Sequence, residues 1–143
     1  RFVYQEVTGD FVATVRLHNV PVTDPWAKAG LMVRALDTPE SANVALLGTH
    51  ENGMVMQVRP ATGEATEQVR AANWRNGDAV YLRLTRRGNQ FTAETSYDGT
   101  RWSTFASAWV ELPETVLVGP AVTSHAAARE GDALFSEWEI TFR

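Results

Sequence analysis

The sequence has no cysteine, which excludes disulfides, zinc–thiolate sites and thiol nucleophiles. Its three histidines, His18, His50 and His125, stand on separate segments. No His-x-x-x-His or His-Glu-x-x-His spacing exists to hold zinc. Positive charge is scarce, with 13 Lys and Arg against 17 Asp and Glu, a net charge of −4. A nucleic-acid partner needs a clustered positive face, so none is expected. No apolar run approaches the roughly 20 residues that cross a bilayer, so membrane insertion is not expected either. Catalytic patterns are missing as well. There is no Gly-x-Ser-x-Gly elbow beside a histidine. Nor is there a Glu-x-Asp-x-x-Glu strand, which would set two carboxylates about 5 to 5.5 Å apart for retaining glycoside hydrolysis. Helical periodicity is nowhere convincing; its best stretch, 64–72, fits a strand or an irregular loop equally well.

Alternation dominates what is present. In 11–18, Phe11, Ala13, Val15 and Leu17 fall on one side while Thr14, Arg16 and His18 fall on the other, the pattern of a half-buried strand. Residues 80–86 repeat it, Gly88-Asn89 breaks it, and 90–96 resume it, which reads as a hairpin. A second hairpin joins 44–50 to 54–59 through Glu51-Asn52-Gly53, and a third turn stands at Asp98-Gly99. Further strands are predicted at 31–36, 105–112, 116–124 and 133–142. About ten short strands with Gly, Asn and Asp turns make an all-β, antiparallel two-sheet β-sandwich. At 143 residues, this is one domain, residues 1–143. The start at Arg1, with no signal-like segment, suggests a piece of a larger multidomain protein.

Strand parity sorts the polar residues. Arg34 falls opposite Leu31 and Val33; Gln57 and Arg59 fall opposite Met54, Met56 and Val58; Tyr81 and Arg83 fall opposite Val80, Leu82 and Leu84. If these strands adjoin in one sheet, the five side chains form one polar face whose guanidinium and amide groups suit sugar hydroxyls or carboxylates. Glu137 and Glu139 share a side opposite Trp138, Ile140 and Phe142, and read as solvated strand carboxylates. Calcium takes loop oxygens; Asn76-Gly77-Asp78 and Asp98-Gly99 offer some but are also ordinary turn sequences. The candidate calcium ligands are Asp132 and Glu130, near the chain end; no other cofactor is expected.

Five Trp, three Tyr and six Phe supply the aromatic surface. Trp138 belongs by parity to the core, Trp102 folds back over its hairpin, and Trp26 wedges a loop against the sandwich. Trp74, in Asn73-Trp74-Arg75-Asn76-Gly77, has no alternation to bury it and is the candidate ligand platform. Trp109 is a weaker one.

The order of motifs carries a resemblance. Asp24-Pro25-Trp26-Ala27-Lys28-Ala29-Gly30-Leu31-Met32-Val33-Arg34 is similar to a "DPWAKAGLMIR" segment. It is followed by Tyr81-Leu82-Arg83-Leu84-Thr85-Arg86, Ser96-Tyr97-Asp98-Gly99-Thr100-Arg101-Trp102 and Val118-Gly119-Pro120-Ala121-Val122-Thr123-Ser124-His125. These resemble a bacterial concanavalin A-like, laminin G-like jelly-roll family, of unknown function or labelled "regulation of enolase-like". The resemblance implies a jelly-roll sandwich serving as an accessory module of exported proteins, some of them carbohydrate-active enzymes. Ser136 stands where the family often has Asp, which weakens the case for a structural calcium. The expectation is therefore a non-catalytic, secreted module binding glycan on the concave sheet or its rim through Trp74, Arg34, Gln57, Arg59, Tyr81 and Arg83. Its rivals are a structural or protein-interaction module and, less favoured, a glycoside- or keto-sugar-acting hydrolase.

Overall fold

The alternating segments are strands. The computed structural model describes residues 2–123 and 133–142. In chain order the strands are β1 (Gln5–Thr8), β2 (Phe11–Asn19), β3 (Lys28–Arg34), β4 (Asn43–Thr49), β5 (Met54–Arg59), β6 (Glu67–Ala72), β7 (Val80–Arg87), β8 (Gln90–Ser96), β9 (Ser103–Trp109), β10 (Thr115–Thr123) and β11 (Leu134–Phe142). The ambiguous stretch near residue 70 is thus a strand. β1, four residues long, is too short for its periodicity to be read.

Two antiparallel sheets form. One has six strands in the order β1-β10-β3-β4-β5-β6, the other five in the order β11-β2-β7-β8-β9. The chain crosses between sheets at β1–β2, β2–β3, β6–β7, β9–β10 and β10–β11, giving a jelly-roll sandwich. Alternation explains its core. Phe11, Leu17, Leu82, Leu84 and Phe91 point inward from the five-stranded sheet and meet Leu31, Leu46 and Met56, all fully buried. Each such side chain contributes about 1.5–3 kcal/mol relative to leaving it in water.

The turns follow their residues. Gly53 has φ 77°, and a Cβ there would stand 2.2 Å from the Ala72 carbonyl oxygen, so the β4–β5 hairpin needs glycine. After β8, Asp98 Oδ1 accepts hydrogen bonds from the backbone N–H of Thr100 and Arg101, each 2.8 Å, and from Ser96 Oγ at 3.0 Å. The Arg101 and Thr100 amides hold this carboxylate below its ordinary pKa of 3.8. Because the folded pKa is depressed, the stabilisation is present above pH 4 or so and lost as pH falls through the folded value. Asp98→Ala is expected to lower the melting temperature at pH 7. Thermal scans down the pH scale should show its gap from the parent closing below the carboxylate range.

β11 departs from simple alternation. Its register with β2 slips between Ser136 and Glu139, where Glu137 adopts φ 54°. The extra residue of this bulge alters the facing that parity predicts. Trp138 and Ile140 pack only partly against the core, and Phe142, expected inside, is 62% exposed at the strand end.

Candidate functional site

The five polar residues predicted to share one face lie on two. Arg34 on β3, with Gln57 and Arg59 on β5, stand on the outer face of the six-stranded sheet, whereas Tyr81 and Arg83 on β7 stand on the outer face of the other. Parity placed each side chain correctly with respect to the core. The assumed adjacency fails because β3 and β5 flank β4, while β7 pairs with β2 and β8.

On the six-stranded sheet the register aligns Arg34 with Asn43 and Asn43 with Arg59, one polar row across three neighbouring strands. The next row is Met32, Ala45 and Gln57, and the one after is Gly30, Leu47 and Val55. Ala45, Leu47 and Val55 are 0%, 4% and 1% exposed, with Met32 packed against them, an apolar floor separate from the sandwich core. Lys28 Nζ donates to Gln57 Oε1 at 3.3 Å and lies 5.5 Å from the Trp26 ring centroid. Trp26 is 42% exposed rather than wedged against the sandwich. Arg34 stacks 4.8 Å over Phe2, its Nε 3.0 Å from Met32 Sδ, and Arg59 donates one terminal N–H to the Pro39 carbonyl at 2.7 Å.

The row is electrostatically and sterically tight. Burial lowers the Arg34 pKa; Asp37 works against that shift and Arg59 adds to it. Burial likewise pulls Lys28 down. Asn43 is 7% exposed and gives its amide N–H to the Ser41 carbonyl at 3.0 Å, yet its Oδ1 has no partner among the described residues. Arg59 Nε, also buried, has none either. Lys28 and Asn43 escaped sequence reasoning. Lys28 shares the parity of Met32 and Arg34, which is a usable signal; Asn43 lies just outside the apolar run 44–50.

The opposite face is already paired within itself. Arg83 makes a two-pronged contact with Glu94, both bonds 2.9 Å, and stacks 4.0 Å over the Trp102 ring. Tyr81 meets Trp102 edge-on at 6.3 Å and donates its hydroxyl to Glu137 Oε2 at 3.0 Å. That bond raises the Tyr81 pKa. Arg16 lies 5.0 Å over Tyr81 and 3.8 Å from Glu137. A trough of about 390 Å³ beside Arg83 and Glu94 is lined by Val12, Thr85, Gln90 and Thr92.

Trp74 is not a platform. It is 9% exposed, packs against Gly48, and donates its indole N–H to the Asp78 carbonyl at 2.9 Å. It plugs one end of the sandwich, so its flat faces are spent on the core. Only part of it reaches a rim cleft of about 570 Å³ that also involves Asn52, Asn73, Arg75, Asp78 and Tyr97. Trp109, at 66%, is the most exposed tryptophan. Among the described residues no group of three His, Asp or Glu is placed to hold a metal ion. The candidate calcium ligands Asp132 and Glu130 lie outside the described residues.

A family described as "Protein of unknown function (DUF1349)" matches residues 1–142. No curated protein sequence matches the chain. A functionally unknown protein from Saccharomyces cerevisiae is 22% identical with a TM-score of 0.71, covering 99% of this chain and 74% of that one. The GH43 protein BlXynB from Bacillus licheniformis is 14% identical with a TM-score of 0.74, covering 94% of this chain and only 28% of that one. The carbohydrate binding module CBM66 from Bacillus subtilis is 9% identical with a TM-score of 0.68, covering 95% and 76%. At these identities the likeness is one of fold.

Proposed function

The chain belongs to the DUF1349 family, and from that premise we propose that it is a non-catalytic glycan-binding module whose site is the outer face of the six-stranded sheet. The observation that carries the reading is the row Arg34, Asn43 and Arg59, with Gln57 beside it and the exposed ring of Trp26 adjoining Lys28, which bonds Gln57. A pyranose ring has an apolar C–H side and a rim of hydroxyls. A small-ligand site answers it with apolar surface and a few well-placed polar groups. Planar guanidinium and amide groups meet hydroxyls with fixed forks of donors. The opposite face offers less, because Arg83 already pairs with Glu94 and lies over Trp102.

The wider role follows the same proposal: an accessory module, outside the cytoplasm, within a longer bacterial protein. The carbohydrate-binding neighbour supports the ligand class, and a likeness spanning 28% of the GH43 protein supports the modular role.

The test is a glycan array probed with the folded domain, followed by titration calorimetry on any hit. Binding is expected, weakened about tenfold by Arg59→Ala or Gln57→Ala and left unchanged by Arg83→Ala. A folded domain that binds nothing across plant, algal and bacterial glycans would overturn the reading in favour of a protein-interaction module.

A further inference from the structure

Resting on the glycan reading, we infer that the ligand of the six-stranded face carries a carboxylate, and that the site is built for uronic acid residues in an acidic polysaccharide. The protein is acidic overall, at −4, yet Lys28, Arg34 and Arg59 gather on this face. Arg16, Arg75 and Arg83 each have an ion pair with a carboxylate; among the described residues Lys28, Arg34 and Arg59 have none. Asp37 is the acid whose field reaches Arg34, and it already accepts the Tyr4 hydroxyl at 3.0 Å.

Arg34 and Arg59 sit two strands apart with Asn43 between them. That is roughly 10 Å between backbones, a span two arginine side chains close on a single group. Beside burial, the charge of Arg59 is one of the influences that hold the Arg34 pKa down. A carboxylate between them relieves that repulsion and accepts charge-assisted, forked hydrogen bonds. Arg34 has both terminal nitrogens, and Arg59 one, without an acceptor among the described residues.

The uronate ring supplies the rest of the contact. Its hydroxyls meet the amide of Gln57, which stands one row from the arginines. Its apolar side meets the ring of Trp26, which is 42% exposed and adjoins Lys28.

The experiment compares polygalacturonate and alginate with their own methyl esters, which keep the backbone and mask the charge. Calorimetry and affinity electrophoresis with the whole domain should show a free acid bound at least about tenfold more tightly than its ester. Arg34→Gln combined with Arg59→Gln should bring the acid down to the level of the ester, with the melting temperature close to the parent's. Arg34→Lys, which keeps the charge and loses the fork, should fall between. Equal binding of acid and ester overturns the inference while leaving the glycan reading standing. Dextran sulfate bound as tightly as the polyuronates would also overturn it, because the site would then be a general polyanion surface. No binding to acid, ester or any arrayed glycan overturns both.

Discussion

Replacing Trp74 with alanine is expected to lower the stability of the domain by about 3–5 kcal/mol, the range for truncating a large buried aromatic side chain. In a domain of this size that amounts to a fall of roughly 10–20 °C in melting temperature. The indole occupies the end of the sandwich against Gly48, at a distance that leaves no room for a β-carbon: one built on Gly48 would stand 2.7 Å from the ring. Truncation therefore opens a cavity whose walls are strands β4 and β2, and the paired backbone on either side prevents them from collapsing into it. It also removes the donor that satisfies the Asp78 carbonyl. Trp74→Phe keeps most of the plug and loses that hydrogen bond, so about 1–2 kcal/mol is expected. Urea unfolding of the three proteins checks both values. A ligand platform gives the opposite pattern, with unchanged unfolding and lost binding, and that outcome would sink the plug assignment.

The Trp74 case shows what limited the reading of this sequence. Burial of a strand residue is written in its neighbours, since Val80, Leu82 and Leu84 alternate with Tyr81, Arg83 and Thr85, and the structure buries the first set. Burial of a loop residue is written elsewhere, here in Gly48, which lies outside any local window around position 74. The hairpins were legible for the same reason as the strands, because Asn52-Gly53 and Gly88-Asn89 are neighbours in the chain. Which strands share a sheet was not. Arg59 and Arg83 obey the same alternation, and only long-range pairing sends β5 to one sheet and β7 to the other. Half of the expected binding set, Arg34, Gln57 and Arg59, stands on one face, and Lys28 and Asn43 join it through register rather than motif.

Arg86 carries the second large effect: Arg86→Met is expected to destabilise the fold by about 3 kcal/mol. It falls on the inward side of β7, in line with Leu82 and Leu84, and is 4% exposed. Among the described residues no carboxylate bonds it. Its Nε donates to the Gly88 carbonyl at 2.7 Å, and its terminal nitrogens reach the Pro113 carbonyl at 2.7 Å and the Leu112 carbonyl at 3.0 Å. One side chain thus joins the β7–β8 turn to the segment leading from β9 into β10. Burial lowers its pKa, but a guanidinium starts so high that it stays charged. Met matches its length and restores none of the bonds, leaving the carbonyls of residues 88, 112 and 113 short of a donor. Relief from burying a charge returns part of that loss, which holds the net effect near the value of one or two charge-assisted bonds. Lysine keeps the charge but not the fork, so about 2 kcal/mol is expected for Arg86→Lys. Urea unfolding should show both variants with a lower midpoint and an unchanged slope, the mark of a weakened native state rather than an altered unfolded one. An Arg86→Met protein within 1 kcal/mol of the parent would mean that water satisfies those carbonyls and that the clamp is dispensable.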